Sequence, residues 1–91
     1  MPGKIEFVAT IHESNGLSFY VPQSFVEWFD MKLQHWNNTI TIAFKDQKKK
    51  PIKINNVVFG EYRKGYRGTF YKWDFPKWKK GEKYLITVEY N

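Results

Sequence analysis

The residues best suited to chemistry lie in one neighbourhood, where cationic and aromatic side chains are interleaved. Arg63-Lys64-Gly65-Tyr66-Arg67 sets three cations and a tyrosine around a glycine. The next stretch, Gly68-Thr69-Phe70-Tyr71-Lys72-Trp73-Asp74-Phe75-Pro76-Lys77-Trp78-Lys79-Lys80, continues the mixture. Lys and Arg neutralise phosphates and release condensed counterions, while Tyr, Trp and Arg planes stack on bases or lie against sugars. Together these residue types suit a nucleic acid. Arg63, Lys64, Tyr66 and Arg67 are the expected core of the contact, with Lys72, Trp73, Lys77, Lys79 and Lys80 widening it. Lys48, Lys49 and Lys50 extend the footprint if their loop lies near the other basic loop.

The leading expectation is therefore a small regulator or chromatin-associated protein that binds nucleic acid, double-stranded DNA ahead of RNA. A protein- or glycan-binding β module is the alternative, with exposed Trp and Tyr side chains as a platform and the charge incidental. A small antagonist that meets an acidic partner is a third reading. An ordinary structural account competes with all three: Phe70, Phe75 and Trp78 in the core, and the lysines as solvated surface charge.

Net charge supports a polyanionic partner through its distribution more than its size. Residues 1–44 hold Lys4 and Lys32 against four acids, a balance of −2, whereas residues 45–91 hold thirteen basic groups against five acids, a balance of +8. Catalysis finds little support. His12 and His35 are the only histidines, no cysteine is present, and no Gly-rich phosphate loop precedes a helix. His12 beside Glu13 is expected to be a surface histidine at a strand end. No enzyme activity, metal or cofactor is expected.

These residues need a scaffold, and 91 residues suffice for one small domain with a single core. With 42% hydrophobic and 20% aromatic residues, aromatic rings must carry much of that core. The lack of cysteines, and of any apolar run of signal-peptide or membrane-span length, favours a cytoplasmic protein with no membrane contact, a monomer or weak dimer.

Periodicity sketches the elements. Ile5 to His12, Leu17 to Val21, Thr39 to Phe44, Ile52 to Ile54, Val57 to Tyr62, Thr69 to Trp73 and Tyr84 to Tyr90 read as strands. Gln23 to Leu33 has helical spacing, with Pro22 at its start and Ser24 and Glu27 spaced as a capping box. Arg63 to Gly68 reads as a hairpin loop, and Pro76 opens a second, shorter helical turn. The fold class is mostly β with one or two short helices.

The two halves also echo each other. Phe19-Tyr20 matches Phe70-Tyr71, Phe25-x-x-Trp28 matches Phe75-x-x-Trp78, and Ile40-Thr41-Ile42-Ala43-Phe44 matches Ile86-Thr87-Val88-Glu89-Tyr90. The same equivalence sets Thr10 and Ile11 beside Glu61 and Tyr62, and the turn at Gly16 near Gly68. Two tandem units of strand, strand, helical turn and strand follow, at about 5–44 and 52–91, joined by a basic loop at 45–51.

This unit resembles the AbrB-like swapped-hairpin family. Gly16 to Pro22 followed by the helix is similar to the first part of that pattern, and Trp78-Lys79-Lys80-Gly81-Glu82-Lys83-Tyr84-Leu85-Ile86 to the second. Plant-type DNA-binding pseudobarrels and the small barrels found beside bacteriocin-protection domains share much the same strand order. The resemblance implies a pseudobarrel closed within one chain and DNA binding through basic hairpin and loop residues. It also implies asymmetry: Trp73 stands at the place of Pro22, and Glu13-Ser14-Asn15 lacks the basic residues of the family's turn.

Overall fold

A computed structural model describes residues 3–32 and 36–90. Two antiparallel sheets of four strands face each other across one hydrophobic core. The strands are β1 (Lys4–Thr10), β2 (His12–Glu13), β3 (Leu17–Tyr20), β4 (Asn38–Ala43), β5 (Ile52–Asn55), β6 (Val58–Tyr62), β7 (Gly65–Phe70) and β8 (Lys83–Tyr90). One sheet has the order β1-β8-β4-β5 and the other β2-β3-β7-β6. A short helix, α1 (Val26–Asp30), follows a 3-10 turn at Gln23–Phe25, and a second 3-10 turn covers Lys72–Asp74. The protein is mostly β, as its periodicity indicates.

Alternation decides which side chains enter the core. On β8, Tyr84, Ile86 and Val88 point inward while Lys83, Leu85 and Glu89 face solvent. Ile40 and Ile42 on β4 and Ile5 and Phe7 on β1 meet them from neighbouring strands. From the other sheet come Leu17, Phe19, Phe59, Tyr66 and Phe70, and the rings engage one another, Phe19 lying 5.9 Å from Phe7 and 5.7 Å from Phe59.

Exchanging β1 with β5, β2 with β6, β3 with β7 and β4 with β8 leaves both strand orders unchanged. Ser18 pairs with Thr69, and Thr41 with Thr87. Those are the counterparts that the Phe-Tyr match and the final-strand match assign to each other, so each pair sits where a pseudo-twofold axis would cross its sheet. One part of the sequence equivalence fails. His12 pairs with Ser18 as Val58 pairs with Thr69, which makes Ile11 the counterpart of Val57 rather than of Tyr62. Gly68 accordingly lies inside β7, and the second hairpin turns at Arg63-Lys64, further out than the first.

Ile11 and Val57 mark where the chain leaves one sheet for the other, and both are buried. Backbone groups at such a crossing leave the ladder and need other partners. At the second crossing the buried Asn38 side chain donates to the Val57 carbonyl at 2.9 Å and accepts from its N–H at 3.1 Å. At the first, the Trp78 indole N–H donates to the Ile11 carbonyl at 2.9 Å. Each crossing is thus held by a side chain from the opposite half.

Several local expectations change. The continuous strand from Ile5 to His12 is divided at Ile11. The capping box does not form: Phe25 stands at the N-cap of α1 and no side chain bonds there. Within the described residues the helix ends at Asp30, and Leu33 lies outside them. The strand expected to run to Trp73 stops at Phe70, and the helical turn precedes Pro76 instead of following it. Phe75 on that turn is buried against Phe44 and Tyr84, which pulls the chain inward and ends the strand.

Candidate nucleic-acid interface

The hairpin of β6 and β7 carries the arginines. Its tip is tight, and Arg63 takes φ 56°, a left-handed conformation that disfavours any residue with a Cβ. The guanidinium carbons of Arg63 and Arg67 lie 5.3 and 4.8 Å from the centre of the Tyr62 ring. Both distances are within cation–π range. Tyr62 in turn lies 5.3 Å from Tyr20, and Tyr20 5.5 Å from the His12 ring.

Strand register builds this row from separate segments. Tyr20 pairs with Arg67 across β3 and β7, and Arg67 with Gly60 across β7 and β6. Because Phe19, Phe59 and Tyr66 point inward, their neighbours Tyr20, Gly60 and Arg67 share the outer face. Gly60 has no neighbouring atoms where a Cβ would sit, so bare backbone lies open beside the two arginines. Tyr20 is 44% exposed, enough for a flat ligand to reach its ring. Lys64 adds a solvent-exposed cation at the tip.

The arrangement therefore offers two guanidinium groups and a lysine for phosphates, and tyrosine and histidine rings for stacking. His12, Tyr20 and Tyr62 are missing from the residues that sequence reasoning selects. They lie on three different strands, and only pairing register joins them. The available signal was an aromatic residue adjoining a basic one, since Tyr62 directly precedes Arg63.

Tyr66 does not belong to this surface. It is 4% exposed, stacks on Phe29 at 5.4 Å and donates its hydroxyl to the Asp30 carboxylate. That hydrogen bond, with burial and the Asp30 charge, pushes its pKa up to about 12. Inward alternation with Gly68 and Phe70 explains the correction: position 66 is a core position of β7 and not part of a loop.

The lysines fall into separate groups. Lys48, Lys49, Lys50 and Lys77 line one groove with Pro51 and Pro76, whereas Arg63 and Lys64 line grooves with Tyr20, Tyr62 and α1 residues. The two groups share no lining residue. Lys49 is partly buried, its ammonium 5.2 Å from the Phe44 ring. Lys72 is ion-paired with Glu13 at 2.5 Å, and its ammonium lies 5.7 Å from the Trp78 ring. Lys79 and Lys80 are exposed on a turn held by the Lys79 N–H donating to the buried Tyr84 hydroxyl at 2.9 Å. Trp73 is 73% exposed and stacks on Tyr71 rather than on any basic residue.

Among the described residues, no three His, Asp or Glu side chains gather as metal ligands, and no helix is long and apolar enough to cross a membrane. His35 lies outside the described residues. No protein-family model matches this sequence, and comparisons with curated proteins and with solved structures found no match.

Proposed function

We propose that the protein is a non-enzymatic nucleic-acid-binding module, and that the outer face of the β2-β3-β7-β6 sheet is its contact surface. The observation that carries this is the arginine-tyrosine row: Arg63 and Arg67 against Tyr62, with Tyr20 and His12 continuing the ring series. Guanidinium groups held against an aromatic ring lose less conformational freedom on meeting a phosphate. Rings spread across an open sheet face suit bases that are out of the helical stack, so single strands are favoured over the duplex DNA expected from the sequence. Kinship with AbrB-like pseudobarrels, intracellular location and a regulatory role belong to the same proposal. The pseudo-twofold strand order supports the first of these.

Fluorescence anisotropy with labelled single-stranded and duplex oligonucleotides at two salt concentrations tests it. Binding should weaken as salt rises. The Arg63→Glu/Arg67→Glu double variant should lose it. Tyr20→Ala should lower single-strand affinity about tenfold, in keeping with roughly 1–3 kcal/mol per stacked base, while leaving the salt slope unchanged. Undetectable binding at low salt, or binding indifferent to both the salt and the double charge reversal, overturns the proposal. A stronger preference for duplex returns the reading to electrostatic groove contact.

A further inference from the structure

A second aromatic feature stands apart from the arginine row. Tyr71 and Trp73 stack face to face, 4.2 Å between centroids and 9° between planes, yet they are 60% and 73% exposed. Trp73 is the most exposed large apolar side chain described. Leaving a tryptophan this far in water forgoes the burial that usually accounts for its presence. The pair is also ordered by the fold. Tyr71 follows the last residue of β7, and Trp73 is held by the 3-10 turn that buries Phe75.

Tyr71 lines a groove of about 290 Å³ between this turn, the first hairpin and the β5–β6 crossing. Ile54, Val57 and Phe70 supply its apolar lining. Around them stand Asn15, Asn56 and Asp74. Among the described residues, no hydrogen bond within the chain uses the side chains of these three. No lysine or arginine lines the groove, although the chain carries fifteen of them. Asn15 and Asn56 hold φ 54° and 59°, a conformation that fixes where their amides start.

We infer that this groove binds a neutral saccharide, with the Tyr71 ring, braced by the Trp73 ring stacked on it, as the wall against which a sugar ring lies. The chemistry of the lining separates this occupant from the others. An ionised carboxylate only accepts hydrogen bonds, and an amide both donates and accepts. Sugar hydroxyls can donate to Asp74 and pair either way with Asn15 and Asn56, and the C–H face of the ring rests on the aromatic wall. An extended proline-rich peptide offers carbonyl oxygens and few donors, so its carbonyls would face the Asp74 carboxylate with nothing to share. A nucleotide would bring its phosphate towards that same carboxylate with no cation in the groove. The site does not depend on the arginine row or on nucleic-acid binding.

Titration of the intact protein with neutral hexasaccharides (β-glucan, α-glucan, xylan, mannan and chitin series) tests the inference by tryptophan fluorescence and by NMR shifts of the Trp73 indole and the Asn15 and Asn56 amides. At least one should bind, at unchanged affinity when salt is raised and in the Arg63→Glu/Arg67→Glu variant. Tyr71→Ala, at an exposed position, should weaken it about tenfold. Asn56→Gly, which removes the amide while suiting the positive φ, should weaken it severalfold without loss of fold. Failure of every hexasaccharide at millimolar concentration overturns the inference. So does binding that survives Tyr71→Ala, or occupation of these residues by a proline-rich peptide or an oligonucleotide instead.

Discussion

At the scale of single residues, the core is decided by two close fits. Gly68 lies under two rings: a Cβ there would stand 2.7 Å from the Phe19 ring and 2.8 Å from the Phe59 ring. Both rings are buried, so neither has room to retreat. Gly68→Ala should destabilise the protein by about 1–3 kcal/mol, read as a lower urea midpoint at unchanged slope. Tyr66 is the second fit. The folded protein holds its hydroxyl proton more tightly than the unfolded chain, where tyrosine titrates near 10. The resulting stability is complete below pH 10 and is lost as pH rises towards about 12. Urea unfolding across that range should show stability falling in the wild type and falling less steeply in Tyr66→Phe. Tyr84 and Tyr90, whose pKa values burial also raises, supply the remaining slope.

At the scale of elements, the long β6–β7 hairpin is where the two halves differ most. Its counterpart, β2–β3, turns earlier at Asn15-Gly16 and has no arginine. Arg63 holds a backbone conformation that costs a non-glycine residue about 1 kcal/mol, and glycine would remove the cost. Arg63→Gly should therefore raise the melting temperature slightly while weakening oligonucleotide binding. A variant that loses stability, or binds as before, would separate the turn from the site. The strands were legible in the sequence because apolar residues alternate cleanly along them. The break at Ile11 was not, because Ile5, Phe7 and Ile11 all face the core and the parity runs unbroken through the crossing. Tyr66 reads as loop in the sequence for the converse reason: charges flank a core position of β7. The Tyr20–Tyr62 contact lay beyond reach, since no local pattern encodes which strands become neighbours.

At the scale of the whole molecule, neither sheet belongs to one half. β8 lies between β1 and β4, and β7 between β3 and β6. The crossings add to this, Asn38 clamping Val57 and Trp78 clamping Ile11. Cutting the connection between the halves should therefore leave them bound. With a specific protease site inserted between Lys48 and Lys49, the cleaved protein should elute as one species with an unchanged circular dichroism spectrum and separate only in denaturant. Release of either fragment under native conditions would show that the interleaved strands contribute little.

The position of β8 also bears on the order of events in folding. Lys4 pairs with Glu89 and Asn38 with Tyr90, so β8, an inner strand of one sheet, follows both of its neighbours in the sequence, β1 by more than seventy residues. Until it arrives, β1 and β4 have no common neighbour, and closing so long a stretch of chain is opposed by entropy before any contact rewards it. The β1-β8-β4-β5 sheet is therefore expected to close after the β2-β3-β7-β6 sheet, whose strands all precede β8.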